Sequence, residues 1–583
     1  MQDSSVPKLL KHFVATYPVR TATIVVLLSV AGLAEGISVM ALLPFVELAI
    51  GGHQAESGGV GDVVSRLAGT LGVNPSLGGL LILIVAGIAA KAAITLVAMK
   101  EVGYAVGRMM TDLRRRLISS LMAARWSYFV ARPLGTFANA IGAETIRAGA
   151  TYQQAARLAA AAVQAAVYGV VTVLVSWKAA LFAILAGLFG AAVFHRVVAA
   201  AMRSGERQTA LMRSLAVRTT DTLQGIKPIK AMAAEESAVP LLDHEIQELD
   251  DAQRDQVWSA ELLRVAQEPL LVLLLALGIY GAVEIGGESL PALMVVAVLF
   301  YRLFNRFQVM QEIYQQIGTG ASAYWSVYRL CGEAEREGER CSGGGIPIGR
   351  VPRIELDAVT YAYDNNDVLR DLSLSIEPGE FVAVTGTSGG GKTTLLDIVS
   401  GLLSPRTGCV RLDDRDLGDL DLKSWRGKIG YVPQEMLLLH DSIFRNVSLG
   451  DETISRTKAE AALRAAGVWE VVSALPEGMD TVIGERGSRF SGGQRQRISL
   501  ARALAREPAL LLLDEITAAL DEETERGVCA TLRRLAGKMT IIAVSHQPEM
   551  ARVADRVIRL EAGRLDSPMI GPSTSCTGIT HAK

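Results

Sequence analysis

Six apolar stretches crowd the first 317 residues of the 583-residue chain, and they limit its fold more than any other feature. They run roughly Thr21–Ile50, Gly79–Met99, Leu158–Ser176, Ala179–Ala201, Leu262–Val283 and Pro291–Ile317. A helix needs ~20 mostly apolar residues to cross a hydrocarbon core ~30 Å thick. Any one stretch alone reads equally well as a buried helix of a soluble protein; six in one half of a chain weigh against that. Composition agrees: the chain is 50% hydrophobic but only 5% aromatic, with a mean hydropathy of +0.30. The N-terminus lacks a short apolar core followed by a small-residue cleavage site, so no removable leader is expected.

The links between the stretches set an orientation. Lys8, Lys11 and Arg20 precede the first, and Lys100, Arg108, Arg114, Arg115, Arg116, Arg125 and Arg132 follow the second. The first link carries only Arg66 as a strong base, and Glu284–Leu290 carries no Lys or Arg. Positive residues mark the cytoplasmic side, which puts both termini inside. A short external helix is expected at Val63–Leu71. The excursions from about Lys100 to Arg157 and from Met202 to Glu261 have helical, charged patterning. The spans should therefore continue as helices into the cytosol, with short transverse helices near Ser127–Phe137 and Arg213–Leu223.

Hydropathy collapses after Ile317. The predicted order is a membrane domain over 1–335, a charged then Gly/Pro-rich linker over 336–351, a mixed strand and helix domain over 352–566, and a disordered tail over 567–583. The net charge of −2 gives no overall basic signal for nucleic acid. Five scattered cysteines without CxxC spacing read as reduced and incidental.

The second half holds a phosphate-binding pattern. The apolar run Phe381–Thr385 is followed by Gly386-Thr387-Ser388-Gly389-Gly390-Gly391-Lys392-Thr393-Thr394 and then by a helical pattern, Leu395–Val399. Strand, glycine loop and helix form the context of a P-loop: the glycines let backbone N–H groups turn toward phosphate oxygens, Lys392 supplies a point charge, and Thr393 offers a hydroxyl to Mg²⁺. The helix N-terminus adds partial positive charge. A glycine-rich surface turn is the other reading. Leu510–Asp514 reads as a buried strand ending in a carboxylate for Mg²⁺, and Glu515 after it can deprotonate an attacking water. Ser491-Gly492-Gly493-Gln494 precedes a helix expected to begin near Gln496. Gln434 follows a strand pattern and could reach the metal or water, and His546 ends the apolar run Ile541–Val544. Val359, Tyr361 and Tyr363 alternate as one face of an early strand.

The order of these motifs resembles the nucleotide-binding domain of ATP-binding cassette (ABC) transporters, and the six-span half resembles the exporter membrane domain; together the likeness covers about Leu9 to Arg564. It implies an all-α six-helix transmembrane domain with long cytoplasmic extensions, followed by an α/β P-loop ATPase domain that binds ATP and Mg²⁺. By this resemblance Tyr363 stacks on adenine, Gly386–Thr394 is the Walker A loop, and Gln434 is the Q-loop. Phe490–Gln494 is the signature, with Phe for the usual Leu. Asp514 and Glu515 are the Walker B carboxylate and catalytic glutamate. Ala518–Asp521 resembles the D-loop, with Ala for Ser, and Asp521 at its end. His546 is the switch histidine, and Gly484–Gly487 resembles the exporter X-loop. In this family two cassettes sandwich each ATP between the P-loop of one and the SGGQ of the other. One membrane half and one cassette then imply a dimer, either with a second copy or with a related half-transporter.

For the substrate, Glu35–Ala49 and Leu263–Glu268 resemble bacterial lipid-linked oligosaccharide flippases. That group carries cavity arginines, and Arg264 and Arg302 fall on two of the positions; the third holds Val309, with Arg306 nearby. Independently, Arg302 lies about 16 Å along its helix from Pro291 at 1.5 Å per residue, near mid-depth. Arg306 shares its face one turn later. Charges at this depth face a cavity or a partner. A pair of arginines suits phosphate oxygens, but pairing with Glu35 or Glu268 inside the bundle, or a snorkelling position if the span is shifted, is also open. The expectation is an exporter or flippase of an amphipathic or lipid-linked substrate in the inner membrane. The alternatives are a drug or peptide exporter, or an ATP-gated channel or regulator.

Overall fold

The computed structural model describes residues 6–49, 76–284, 290–339, 351–363, 366–484, 487, 489–517 and 520–569. Val63–Leu71, most of the 336–351 linker, the tail beyond 569, Glu485 and Arg486 of the X-loop-like segment, and Ala518 and Ala519 lie outside them. The chain divides into two compact units, residues 1–124 with 128–338, and 339–583 with 125–127.

The first unit is helical. Its elements are α1 (Val6–Thr16), α2 (Pro18–Met40), α3 (Leu42–Ala49), α4 (Leu77–Ala123), α5 (Trp126–Val130), α6 (Leu134–Asn139), α7 (Thr145–Val175), α8 (Trp177–Gln224), α9 (Ile226–Ala231), α10 (Glu235–Ala238), α11 (Pro240–Glu284) and α12 (Leu290–Arg336). Five helical segments among the described residues are long and apolar enough to cross a membrane. The sixth predicted span lies in the 47-residue α12, which is not among them; Arg302 and Arg306 interrupt its apolar run. Large apolar side chains stay exposed on the outer faces, Ile82 at 65% and Leu96 at 74%, as a lipid-facing surface requires.

Two expectations need correction. The first apolar stretch is not one helix. Pro44 has no N–H to donate to the Met40 carbonyl four residues back, and its ring crowds that carbonyl, so α2 stops at Met40 and α3 restarts at Leu42. The second transverse helix is not at Arg213–Leu223. Those residues continue α8, which runs 48 residues to Gln224. The turn comes at Gly225, and the short α9 and α10 follow it. In the first excursion the short α5 and α6 do occupy the predicted region. The helices extend far past their apolar parts, and α12 packs along α7 and α8.

The second unit is built on two sheets. Its strands are β1 (Ile354–Tyr363), β2 (Asn366–Ile376), β3 (Phe381–Thr385), β4 (Thr407–Leu412), β5 (Arg415–Asp416), β6 (Ile429–Val432), β7 (Leu510–Asp514), β8 (Thr540–Val544), β9 (Arg556–Glu561) and β10 (Arg564–Met569). A four-stranded antiparallel sheet has the order β2-β1-β4-β5, and a six-stranded sheet has the order β10-β9-β3-β8-β7-β6. The run β9-β3-β8-β7-β6 is parallel. Strands buried on both faces read as continuous apolar runs, and β3, β7 and β8 do so. The helices used below are α13 (Lys392–Val399), α14 (Gly492–Leu504) and α15 (Glu522–Leu535). Irregular pairing in β1 interrupts the expected alternation: Val359 is buried, Tyr361 half-buried and Tyr363 exposed.

Candidate functional site

The C-terminal ends of β3, β7 and β8 bring the chemistry-bearing residues together, because neighbouring parallel strands end at one edge. β3 leads into Gly386–Thr394. At Gly386, φ is +145°, and a Cβ would stand 2.0 Å from the Leu560 carbonyl oxygen. Gly391 (φ +95°) would push a Cβ to 2.7 Å from Leu369. Neither position has room for a side chain. Lys392 Nζ arcs over the loop and donates to the Gly386 and Thr387 carbonyls at 3.1 and 2.9 Å. The helix starts at Lys392, three residues before the predicted apolar run.

β7 ends in Asp514, and Glu515 follows with φ +49°, a left-handed conformation uncommon outside glycine. Its amide donates to the Val544 carbonyl of β8 at 3.0 Å, which fixes the turn. The Glu515 carboxylate is held at both oxygens. Gln434 Nε2, just past β6, donates to Oε2 at 2.8 Å, and His546 Nε2, just past β8, lies 3.2 Å from Oε1. Three residues from three strand ends, 112 positions apart at the extremes, meet at one carboxylate.

The neighbouring oxygens suit a hard cation. Asp514 is 3% exposed, and among the described residues its buried Oδ1 has no hydrogen-bond partner. Burial pushes its carboxyl above the usual range; the Thr393 hydroxyl opposes this, Glu515 adds to it, and Lys392 opposes it. A hydroxyl, a carboxylate with a free oxygen and an amide oxygen are ligands of the kind Mg²⁺ takes. Sequence reasoning missed Asp397 on α13, a buried carboxylate whose pKa burial, and then Asp514, push up to about 6. An Asp inside an otherwise apolar helical pattern was its signal.

Ser491 caps α14. Its Oγ accepts from the Gln494 amide at 3.3 Å, and Gln494 Oε1 accepts from the Ser491 amide at 3.0 Å. The helix therefore starts at Gly492, earlier than Gln496. A Cβ on Gly493 would meet Thr524 of α15 at 2.6 Å. Asp521 is the N-cap residue of α15. Tyr363 is 38% exposed and sits edge-on to Tyr361, with 5.0 Å between ring centres. Among the described residues no hydrogen bond or ion pair joins Ser491–Gln494 to the P-loop.

The three arginines of the helical unit do not form one site. Arg264 is exposed and lies 3.9 Å from Glu261. Arg302 turns to the buried Glu35 at 3.6 Å and to the Tyr168 hydroxyl at 3.4 Å. Lys91 reaches the same Glu35 oxygen at 2.5 Å, and Tyr168 donates to it as well. Lys91 and Tyr168 were not singled out from the sequence, although a lone lysine inside an apolar stretch was the available signal. Arg306 lines a separate cavity of about 310 Å³ with Arg157, Gln154, Gln164, Glu312 and Gln316.

Comparisons with known proteins fit this geometry. Residues 24–307 match the family model described as ABC transporter transmembrane region, and residues 369–518 match the one described as ABC transporter. The "ATP-dependent lipid A-core flippase" of Burkholderia pseudomallei (strain 1710b) is 40% identical over 261 residues, 44% of this chain and 43% of that protein. The chain thus spans less than half the length of that relative. The protein of the same name from Chromobacterium violaceum is 35% identical over 59% of each chain, and that from Syntrophus aciditrophicus is 29% identical over 79% of this chain and 77% of its own. In structure, a bacterial Atm1-family ABC exporter with ATP bound superposes with a TM-score of 0.80 at 23% identity, covering 96% of this chain and 95% of that one. That likeness shows a shared fold. With a membrane region and a cassette matched in order along one chain, this multi-pass membrane protein belongs to the ABC transporters, as a half-transporter.

Proposed function

We propose that two such halves form an ATP-driven flippase or exporter that carries an amphipathic lipid outward across a bacterial inner membrane, with both termini cytoplasmic. The observation that carries this reading is the Gln434–Glu515–His546 cluster beside the P-loop, on a chain with five long apolar helical segments among its described residues.

The placement supports the following roles. Gly386–Thr394 would cradle the phosphates, Lys392 would pair with the outer ones, and Tyr363 would stack on adenine. Thr393, Asp514 and Gln434 would hold Mg²⁺, which neutralises charge on the phosphate oxygens. Glu515, oriented by Gln434 and His546, accepts a proton from the attacking water. Ser491–Gln494 and Asp521 of a second copy, or of a related half, would close the other face of the nucleotide. ATP binding then draws the cassettes together, and hydrolysis lets them part.

The names of the relatives support a lipid with a phosphate- and sugar-bearing headgroup, a class that also contains lipid-linked oligosaccharides. Arg306 and Arg157, with the amides around them, offer a headgroup of that kind a polar cavity. A drug or peptide exporter is the second reading, favoured by an apolar cavity of about 840 Å³ lined by Phe13, Ile24, Phe307, Met310 and Tyr314 with His195 at its wall. The intact Glu515 and His546 pair speaks against an ATP-gated channel or regulator.

The test is reconstitution in proteoliposomes with a fluorescent phosphoglycolipid. ATP-dependent appearance of the lipid in the opposite leaflet, lost in Glu515→Gln, is expected. ATP turnover without movement of any phosphate-bearing lipid would overturn the substrate class. Turnover no faster than that of Glu515→Gln would overturn the pump.

A further inference from the structure

The side chains at the centre of the helical unit carry an imbalance of charge. Glu35 on α2 is 4% exposed, and a single oxygen, Oε1, takes Lys91 of α4 at 2.5 Å and Arg302 of α12 at 3.6 Å. The Tyr168 hydroxyl of α7 donates to the same atom. Lys91 lies 14 residues into α4 and Arg302 12 residues into α12, so about 21 and 18 Å along at 1.5 Å per residue. That is inside a core ~30 Å thick. Among the described residues, two cations meet one carboxylate here, where an unbalanced charge is expensive.

The exposures differ in a way that matters. Glu35 is enclosed, whereas the side chains of Lys91 and Arg302 are 20% and 33% exposed. The two cations are therefore the more accessible members of the cluster, and their counterion is the more deeply held. Arg302 contacts Glu35 through one nitrogen, at 3.6 Å, which leaves most of the guanidinium fork free to take a second anion bidentately.

From this we infer that Glu35 is a resident counterion, which sets the cluster's preference for anionic lipids by competing for Lys91 and Arg302. A phosphate group on a lipid loosens the Glu35 contacts and, with them, a tie among α2, α4, α7 and α12. The inference rests on the lipid-transport reading above and adds a selectivity determinant to it. Removing the carboxylate should strengthen the response to anionic lipid, whereas a merely structural ion pair would weaken it on removal, because a broken buried pair destabilises its surroundings.

The full-length protein is placed in phosphatidylcholine vesicles doped with phosphatidic acid, with diacylglycerol, or with neither plus glycerol phosphate in solution. The mole fraction of phosphatidic acid that half-maximally stimulates ATP turnover is measured. Glu35→Gln should lower it about tenfold, and Lys91→Met should raise it about tenfold, the size of one close charge pair in a partly solvated site. Diacylglycerol and glycerol phosphate should not stimulate. An unchanged or raised requirement in Glu35→Gln overturns the inference, as does a wild-type response in Lys91→Met, a variant that keeps Glu35 paired with Arg302. Equal stimulation by glycerol phosphate overturns the lipid as the source of the phosphate. If wild type turns over ATP yet responds to no anionic phospholipid, the transport reading fails as well, which separates the two failures.

Discussion

Gln434 and Glu515 stand 81 positions apart in sequence and are joined by a 2.8 Å hydrogen bond. The bond spans the ends of β6 and β7 and leaves the other carboxylate oxygen to His546. A carboxylate held at both oxygens keeps one orientation, which a general base requires.

Glu515→Gln is expected to cut ATP turnover by about 10²-fold or more, the usual scale for losing a positioned base, while nucleotide binding persists. Phosphate release and binding of a fluorescent ATP analogue, measured side by side, check both halves. Turnover within threefold of wild type would assign the base elsewhere.

Chelating Mg²⁺ should abolish turnover. Asp514→Asn should raise the Mg²⁺ concentration needed for half-maximal rate by about 10-fold or more, as for loss of a metal ligand or its support. A titration of rate against free Mg²⁺ in both proteins reads this directly; coincident curves would remove Asp514 from the metal site.

Two glycines in one loop should respond differently to the same substitution. Gly386→Ala drives a Cβ to 2.0 Å from a carbonyl oxygen and should destabilise the cassette by more than ~2 kcal/mol. Gly389→Ala (φ +78°) meets nothing within 4 Å among the described residues and should cost only the left-handed strain, about 1 kcal/mol. Thermal unfolding of the two variants gives the order.

Asp397 gives a pH signature. Its folded pKa is raised from 3.8 to about 6, so the folded state binds the proton more tightly than the unfolded one. Stability is then lost as pH rises through that window, and above it the full penalty remains. Asp397→Asn removes the penalty. In nucleotide- and Mg²⁺-free protein it should stabilise by about 3 kcal/mol at pH 8 and about half that at pH 5. A melting-temperature gain that does not shrink toward pH 5 would count against the burial argument.

The cassette was legible because its chemistry is written in spacing. The runs Phe381–Thr385 and Leu510–Asp514 are continuous apolar strands, and each hands a functional residue to the same sheet edge. The long excursions were legible as helices, but the end of α8 was misplaced. Arg213–Leu223 looked like a separate element for its charge pattern, whereas the breakers are Gly225 and Pro228, just beyond it. The break at Pro44 is equally visible in the sequence, but hydropathy continues through it and masks it. The arginines were the hardest part. Periodicity put Arg302 and Arg306 on one face, yet one turns to Glu35 and the other lines a different cavity with Arg157. Which helix faces which is decided by packing among α2, α4, α7 and α12, and no local pattern encodes it.

The reciprocal cap at the start of α14 has a consequence for timing. Ser491 and Gln494 satisfy each other's backbone amides within one chain, and the contact of Gly493 with Thr524 braces that turn against α15. The dipole at this helix end is therefore aimed before any ligand arrives. In the proposed dimer, a nucleotide docking there would find little conformational entropy left to lose at this surface, and cassette closure would be governed by the approach of two rigid faces and not by the ordering of a loop.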